Sequence, residues 1–175
     1  MWFCLPLLLP FLRMWFELHS GHCIEIRLWF LPSLCNAFKA TYLYGIVEPK
    51  TGAHFFFEFS HLNTDCFQVF LNLVSQQFKD DLLIIQLDNG AFHKAKRLQV
   101  PANIILLFQP PHCPELNPIE QVWQYLKRRL RWSLPVSLDQ LRQQLNERLE
   151  ALTPEVVASI TGRLSILQAL SVAQI

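Results

Sequence analysis

The run Leu82–Leu87 constrains this chain more than any other stretch. LLIIQL is six residues long, almost wholly apolar, and closed abruptly by Asp88-Asn89-Gly90. A continuous apolar run that short, bounded by turn residues, reads as a strand buried on both faces of a sheet. Residues 103–108 give a second run of the same kind, also read as buried. Strands of this sort need helices above and below them, which predicts an α/β fold. A polar residue just past the carboxyl end of a central strand stands where α/β sheets place their ligands, so Asp88 is the first candidate for chemistry.

The surrounding sequence supplies the other layers. Residues 41–48 alternate Tyr42, Tyr44 and Ile46 on one face, and His54–Phe59 is a second β-rich run. The intervening Pro49-Lys50-Thr51-Gly52 predicts a hairpin. Thr64 is placed to cap a helix whose Phe67, Phe70, Leu71, Val74 and Phe78 recur at helical spacing and face a sheet. After residues 103–108, three prolines within residues 110–114 exclude both helix and ladder. Asn117 and Pro118 then open a helix running to about Trp132, with Ile119, Val122, Trp123, Leu126 and Leu130 as its buried stripe. On the opposite side Glu120, Gln124, Lys127 and Arg131 fall within about 40° of one line, at about 100° per residue. Ser137 with Gln140 predicts a further helix with a stripe of Leu138, Leu141, Leu145, Leu149 and Leu152. Thr153-Pro154 starts another, ending near Gly162, and residues 164–173 make a last amphipathic segment.

At 175 residues the chain fits one domain with a sizeable core. Hydrophobic residues reach 51% and charged residues 17%, but the apolar excess lies mainly before Phe38. That opening is rich in Trp, Cys, Leu and Pro and holds no aspartate. Its first twelve residues are too short to span a bilayer and are broken by Pro6 and Pro10. Only residues 23–30 alternate as a strand. The net charge of +1 says little about partners, because local clustering of Lys94, Lys96, Arg97, Lys127, Arg128, Arg129 and Arg131 is what makes a nucleic-acid footprint. Five cysteines, odd in number and without a CxxC pair, support neither a disulfide framework nor a zinc site and fit a reducing cytosol.

Asp88 at a strand end and Glu120 at a helix start are candidate metal ligands, and each has a plainer reading. Asp-Asn-Gly commonly ends strands as a turn. Asn117-Pro118-Ile119-Glu120 is also the sequence of a capping box, in which Glu120 only reaches back to a backbone donor. The cations near Glu120 read either as phosphate contacts or as a solvated face, and His93 as a structural histidine.

LDNGAFHKAKRL followed by QPPHCPELNPIEQVWQYLKRRL resembles the DDE transposases of bacterial insertion sequences related to the mariner type. The resemblance covers the chain from about Phe38 onward and implies a ribonuclease H-like fold, a mixed sheet flanked by helices, with a helical C-terminal tail. It implies residues 38–134 as a partial catalytic domain and residues 135–175 as helices packed on or following it. On this resemblance Asp88 is the second catalytic aspartate and Glu120 the third acidic residue, 32 positions later, while Asn89, His93, Asn117 and Pro118 shape the site. The implied activity is metal-dependent cleavage of transposon ends and transfer of the 3′-hydroxyl to target DNA. Two Mg²⁺ ions, or Mn²⁺, serve that chemistry by activating the nucleophile and neutralising developing charge. Lys94, Lys127, Arg128 and Arg131 become DNA contacts, DNA the partner, a homodimer possible in principle, and the nucleoid in the cytoplasm the place of action. No small-molecule cofactor is implied.

The chain departs from the family in one respect. A DDE site needs a first aspartate on the strand before the hairpin, and the first aspartate here is Asp65. Glu25 is the one upstream acidic residue that the sequence places on a strand, in surroundings unlike the family's. Residues 1–37 therefore read as a frame-disrupted or foreign segment, the fold as incomplete at its N-terminus, and the enzyme as impaired. The helix-turn-helix region of such transposases is not expected in this chain. Reading frames upstream of codon 38 that encode no Asp-containing strand would remove this explanation. Two other readings stand beside it: a non-catalytic DNA-binding or dimerisation remnant, and a small membrane-associated protein driven by residues 1–38.

Overall fold

The structure, a computed structural model, describes residues 12–17, 24–27, 40–87, 97–110, 116–130 and 137–172. The hairpin forms as the alternation predicts. Strands β3 (Ala40–Val47) and β4 (His54–Phe59) pair antiparallel from Tyr42↔Phe59 to Val47↔His54. Gly52 closes the turn at φ 75°, and its N–H donates to the Glu48 carbonyl at 2.8 Å. A Cβ at Gly52 would also overlap the Pro154 carbonyl, so both the backbone conformation and the close approach require glycine here.

Strand β1 (Leu12–Glu17) runs parallel to β5 (Leu82–Leu87), from Leu12↔Leu82 to Phe16↔Gln86, and its last residues pair antiparallel with β3 at Phe16↔Val47 and Glu17↔Ile46. Strand β2 (Ile24–Arg27) also pairs antiparallel with β3, from Ile24↔Leu43 to Arg27↔Ala40. Because β4 already occupies one edge of β3, β1 and β2 share the other edge and act as one interrupted strand. Strand β6 (Ile104–Phe108) adds parallel to β5. The sheet thus reads β4, β3, β1 with β2, β5, β6, antiparallel on one side and parallel on the other. Sequence analysis finds a strand around Glu25 but none at Leu12–Glu17. The reason is physical: β1 lies between two neighbouring strands in the middle of the sheet, where period-two alternation is not required.

The alternation of β3 divides the core in two. Tyr44 and Ile46 join Leu83, Ile85, Leu87 and Ile104 beneath helix α1 (Thr64–Gln77), which contributes Phe67, Phe70, Leu71 and Val74. Leu43 and Val47 face the other way, toward helix α2 (Ile119–Leu130). There Ile119, Val122, Trp123, Leu126 and Leu130 form the predicted stripe. Helices α3 (Leu138–Glu150), α4 (Pro154–Thr161) and α5 (Leu164–Val172) complete that second cluster with Leu141, Leu145, Leu152, Val157, Ile166 and Leu170. Ser137 and Thr153 cap α3 and α4 as their sequences predict, each accepting a backbone N–H. The cap of α1 differs: Asn63, not Thr64, accepts the Cys66 N–H at 2.8 Å, asparagine being among the strongest residues at that position.

Two expectations about burial are corrected. Leu83, Ile85 and Leu87 are fully buried, but Leu82, Ile84 and Gln86 on the other face are only half-buried. Residues 103–108 do not form a buried strand either. β6 is the last strand of the sheet, and Ile105, Leu107 and Phe108 are 48%, 46% and 38% exposed. A continuous apolar run reports strand character, whereas coverage depends on where the helices lie.

Helix α3 is pinned to the hairpin by Arg142, whose Nε lies 2.6 Å from the Glu58 carboxylate, a group that also accepts the Thr41 hydroxyl. Arg142 is half in solvent, so screening limits the pair. Arg142→Ala is expected to cost about 0.5–1 kcal/mol in urea denaturation, whereas replacing the exposed Arg148 on the same helix leaves the midpoint unchanged.

Candidate functional site

The end of β5 and the start of α2 are brought together by backbone and amide bonds. Leu87 is the last residue of β5, and its carbonyl accepts the Gln109 N–H at 2.9 Å, which carries the β5–β6 ladder one step beyond β6. Gln86 shares its sheet face with Ile84 and so points away from α1. Its side-chain amide donates to the Gln109 Oε1 at 3.3 Å and to the Leu116 carbonyl at 3.4 Å. Gln109 is 8% exposed. This face of the sheet therefore meets the approach to α2 through polar contacts rather than apolar packing.

Glu120 lies in the first turn of α2 and is half-buried. The turn is fixed by Asn117, itself buried, whose Oδ1 accepts the Ile119 N–H at 3.4 Å and whose carbonyl accepts the Glu120 N–H at 3.2 Å. At this end of a helix the unsatisfied N–H groups and the aligned peptide dipoles favour a negative charge or an anion.

The cations of α2 divide into two groups. Lys127 and Arg128 are exposed, about 20° and 80° around the helix from Glu120. Arg129 is about 180° away and lies over the Tyr125 ring, 3.5 Å from its centroid, a cation–π contact that holds it on the far side. Asp88, His93, Lys94 and Arg131 lie outside the described residues.

Leu12, Met14 and Phe16 pair with Leu82, Ile84 and Gln86, and all three are apolar. Two carboxylates do lie on these strands. Glu17 pairs with Ile46 and Glu25 with Tyr42, both members of the cluster under α1. Sequence analysis names Glu25 and misses Glu17, because β1 shows no period that would mark it as a strand. Among the described residues no three His, Cys, Asp or Glu side chains form a metal site. Glu120 is of the hard oxygen type that Mg²⁺ prefers, but the described residues do not on their own fit a pair of metal ions. Gln86 and Gln109 were also not singled out from the sequence, although a lone glutamine inside LLIIQL is a signal: a polar side chain on a buried strand must find a partner.

Comparison with known proteins agrees with this architecture. The family of DDE superfamily endonucleases matches residues 34–142, more than half of the chain. A curated relative, the uncharacterized protein y4pE/y4sA of Sinorhizobium fredii, is 34% identical over 87 residues, 49% of this chain and 64% of the relative. Among solved structures, a chain of the Mos1 strand transfer complex superposes with a TM-score of 0.57 at 15% identity, covering 93% of this chain and 54% of that one. A chain from the simian T-cell lymphotropic virus intasome, in complex with PP2A regulatory subunit B56 gamma, gives 0.50 at 15% identity over 79% of this chain and 48% of that one. The chain thus spans less than two thirds of the length of each of these proteins. Its fold is ribonuclease H-like, as the resemblance implies. With the family match running from the hairpin strands through α2, the chain belongs to the DDE superfamily of endonucleases.

Proposed function

We propose that this chain carries the catalytic domain of an insertion-sequence transposase of the mariner type, in a copy whose catalysis is impaired. Asp88 and Glu120 hold a divalent metal ion, Mg²⁺ or Mn²⁺, against a DNA phosphodiester, and Lys94, Lys127, Arg128 and Arg131 bind the flanking phosphates. The partners are transposon ends and target DNA in the bacterial nucleoid, engaged by a homodimer. The observation that carries this reading is the hydrogen bond from Gln86, two residues before Asp88, to the carbonyl of Leu116, four residues before Glu120. It ties together the two segments from which the acidic residues come.

When bound, the metal supplies charge neutralisation at the scissile phosphate and lowers the pKa of an attacking water. The protein's own share is placement. Glu120 is presented from a helix start that itself favours anions, and Lys127 on the same line of α2 draws the phosphate backbone toward it. Impairment is supported by the sequence, in which no aspartate precedes Asp65, which leaves Asp88 and Glu120 for a chemistry that uses two ions. The same observation favours a second reading, a DNA-binding or dimerisation remnant without catalysis. For the membrane reading, no single helix among the described residues is long and apolar enough to cross a bilayer.

Purified chain incubated with supercoiled plasmid and Mg²⁺ or Mn²⁺ is expected to bind DNA with steep salt dependence and to nick it weakly or not at all. Lys127→Ala and Arg128→Ala should each reduce the slope of log affinity against log salt by about 0.9. Robust Mg²⁺-dependent cleavage, lost in Asp88→Ala, would overturn the impairment. Unchanged salt slopes would remove the α2 face from the DNA interface.

A further inference from the structure

The sheet ends at β6 on an unguarded strand. IILLF holds no charge, proline or glycine, and Ile105 and Leu107 are 48% and 46% exposed. Edge strands ordinarily carry a lysine, an inward charge, a proline or a bulge, because their outward N–H and C=O groups otherwise template pairing with another chain. The far edge follows that rule: β4 carries Glu58 within the strand, and Arg142 of α3 engages it. β6 has no such device, and among the described residues no strand pairs with its outer side.

The ladder fixes which groups that side offers. The Asn103 carbonyl accepts the Leu83 N–H at 2.8 Å, and the Gln109 N–H donates to the Leu87 carbonyl at 2.9 Å. Residues 103, 105, 107 and 109 therefore turn their backbone toward β5, and Leu106 between them turns its N–H and C=O outward. The Ile104 N–H, which also faces out, is taken by the Pro101 carbonyl at 3.0 Å. Leu106 is thus the centre of the open edge. The register also sets Ile105 beside Ile84 and Leu107 beside Gln86, on the face away from α1, so exposed apolar side chains flank that centre on both sides.

We propose that β6 is the contact between two copies of this chain, paired antiparallel about a two-fold axis through Leu106. The strand is complementary to itself in that register. Leu106 exchanges both backbone bonds with its own copy, Ile105 lies opposite Leu107 of the partner subunit, and no like charges meet because the strand has none. A two-fold contact also uses up both edges at once, whereas a head-to-tail contact would leave one open and grow. This surface belongs to the homodimer of the proposed function and rests on that reading only for what the dimer does; the contact itself follows from the edge.

Sedimentation of the full chain over a concentration series is expected to show a monomer–dimer equilibrium. Ile105→Lys should weaken association by about 10- to 100-fold, since each substitution is felt twice across a two-fold and brings a charge into the contact. Adding Leu107→Glu should restore the dimer, because the antiparallel register sets the two new charges opposite each other, whereas adding Leu107→Lys instead should keep the chain monomeric. Val172→Lys, at an 85% exposed position on α5, is the control and should sediment as wild type does. Hydrogen exchange needs no variant: the Leu106 amide of wild type should exchange more slowly as concentration passes through the association range. A wild-type chain that stays monomeric at every concentration overturns the contact while leaving the roles proposed for Glu120, Lys127 and Arg128 untouched. A dimer that survives Ile105→Lys but is lost in Phe57→Lys, a substitution at the exposed position of β4, would place the contact on the other edge and overturn it as well. DNA binding read on the same samples separates the two claims from the other side: a chain that dimerises through β6 yet binds no DNA would remove the proposed function and leave the contact standing.

Discussion

Trp123→Ala is expected to destabilise the fold by about 3–5 kcal/mol, the range for deleting a large buried aromatic. Trp123 is 2% exposed and stands where α2 meets the hairpin, its ring 5.7 Å from that of Phe56 on β4. The sheet makes room for it with Gly45, where a Cβ would overlap the Phe56 ring and come within 2.9 Å of Trp123. Gly45→Ala should therefore also destabilise, by overpacking, by about 1–3 kcal/mol. The two changes act on one contact from opposite sides, so their effects should not add. In the Trp123→Ala background part of the cavity is open to the new methyl, and Gly45→Ala should cost less there than in wild type. The indole Nε1 has no hydrogen-bond partner among the described residues, so Trp123→Phe forfeits area but relieves a buried donor and should fall well short of the alanine effect. Urea denaturation at constant m-value checks all four variants. Additive costs would show that Gly45 and Trp123 do not share a contact.

The contrast between α2 and the strands explains what could be read from residues alone. Ile119, Val122, Trp123, Leu126 and Leu130 recur at helical spacing and are all buried, because a helix with one covered face must write that face into its sequence. The hairpin was equally legible, since Gly52 and the alternation of β3 are local requirements. Strand β1 was not. LRMWFE lies between two neighbours in mid-sheet, and its place is decided by pairing with β5, some seventy positions away, which no local period reports. The misreading of β6 has the same origin. IILLF looks like LLII, and only the pairing order, with β5 between β1 and β6 and packed against α1, makes one run an exposed edge and the other a strand with one fully buried face. For the site, Glu120 and its helix start were legible because Asn117, Pro118 and Glu120 are a local pattern. The tie between Gln86 and Leu116 was not, being a contact across 30 positions.

Glu120→Gln is expected to abolish the metal dependence of DNA binding, and the choice of glutamine is what makes the result decisive. In a capping box glutamine serves nearly as well as glutamate, so if Glu120 only closes the first turn of α2, the substitution should leave stability, DNA affinity and metal response as they were. If Glu120 is a metal ligand, replacing a charged oxygen by a neutral amide should weaken Mn²⁺ by more than the roughly 10- to 100-fold that loss of a supporting residue costs. DNA binding separates the two cases a second time. On the proposed function the wild-type carboxylate would repel phosphates that Lys127 and Arg128 attract, and added Mn²⁺ would cancel that repulsion, so affinity should rise with the metal. In Glu120→Gln the repulsion is already gone. Affinity without metal should exceed that of wild type, and added Mn²⁺ should change it little. Lys127→Ala should do the reverse, lowering affinity while leaving the metal response in place, because it removes a phosphate contact and no ligand. A glutamine variant that still tightens on DNA with Mn²⁺ as wild type does would return Glu120 to the role of a helix cap.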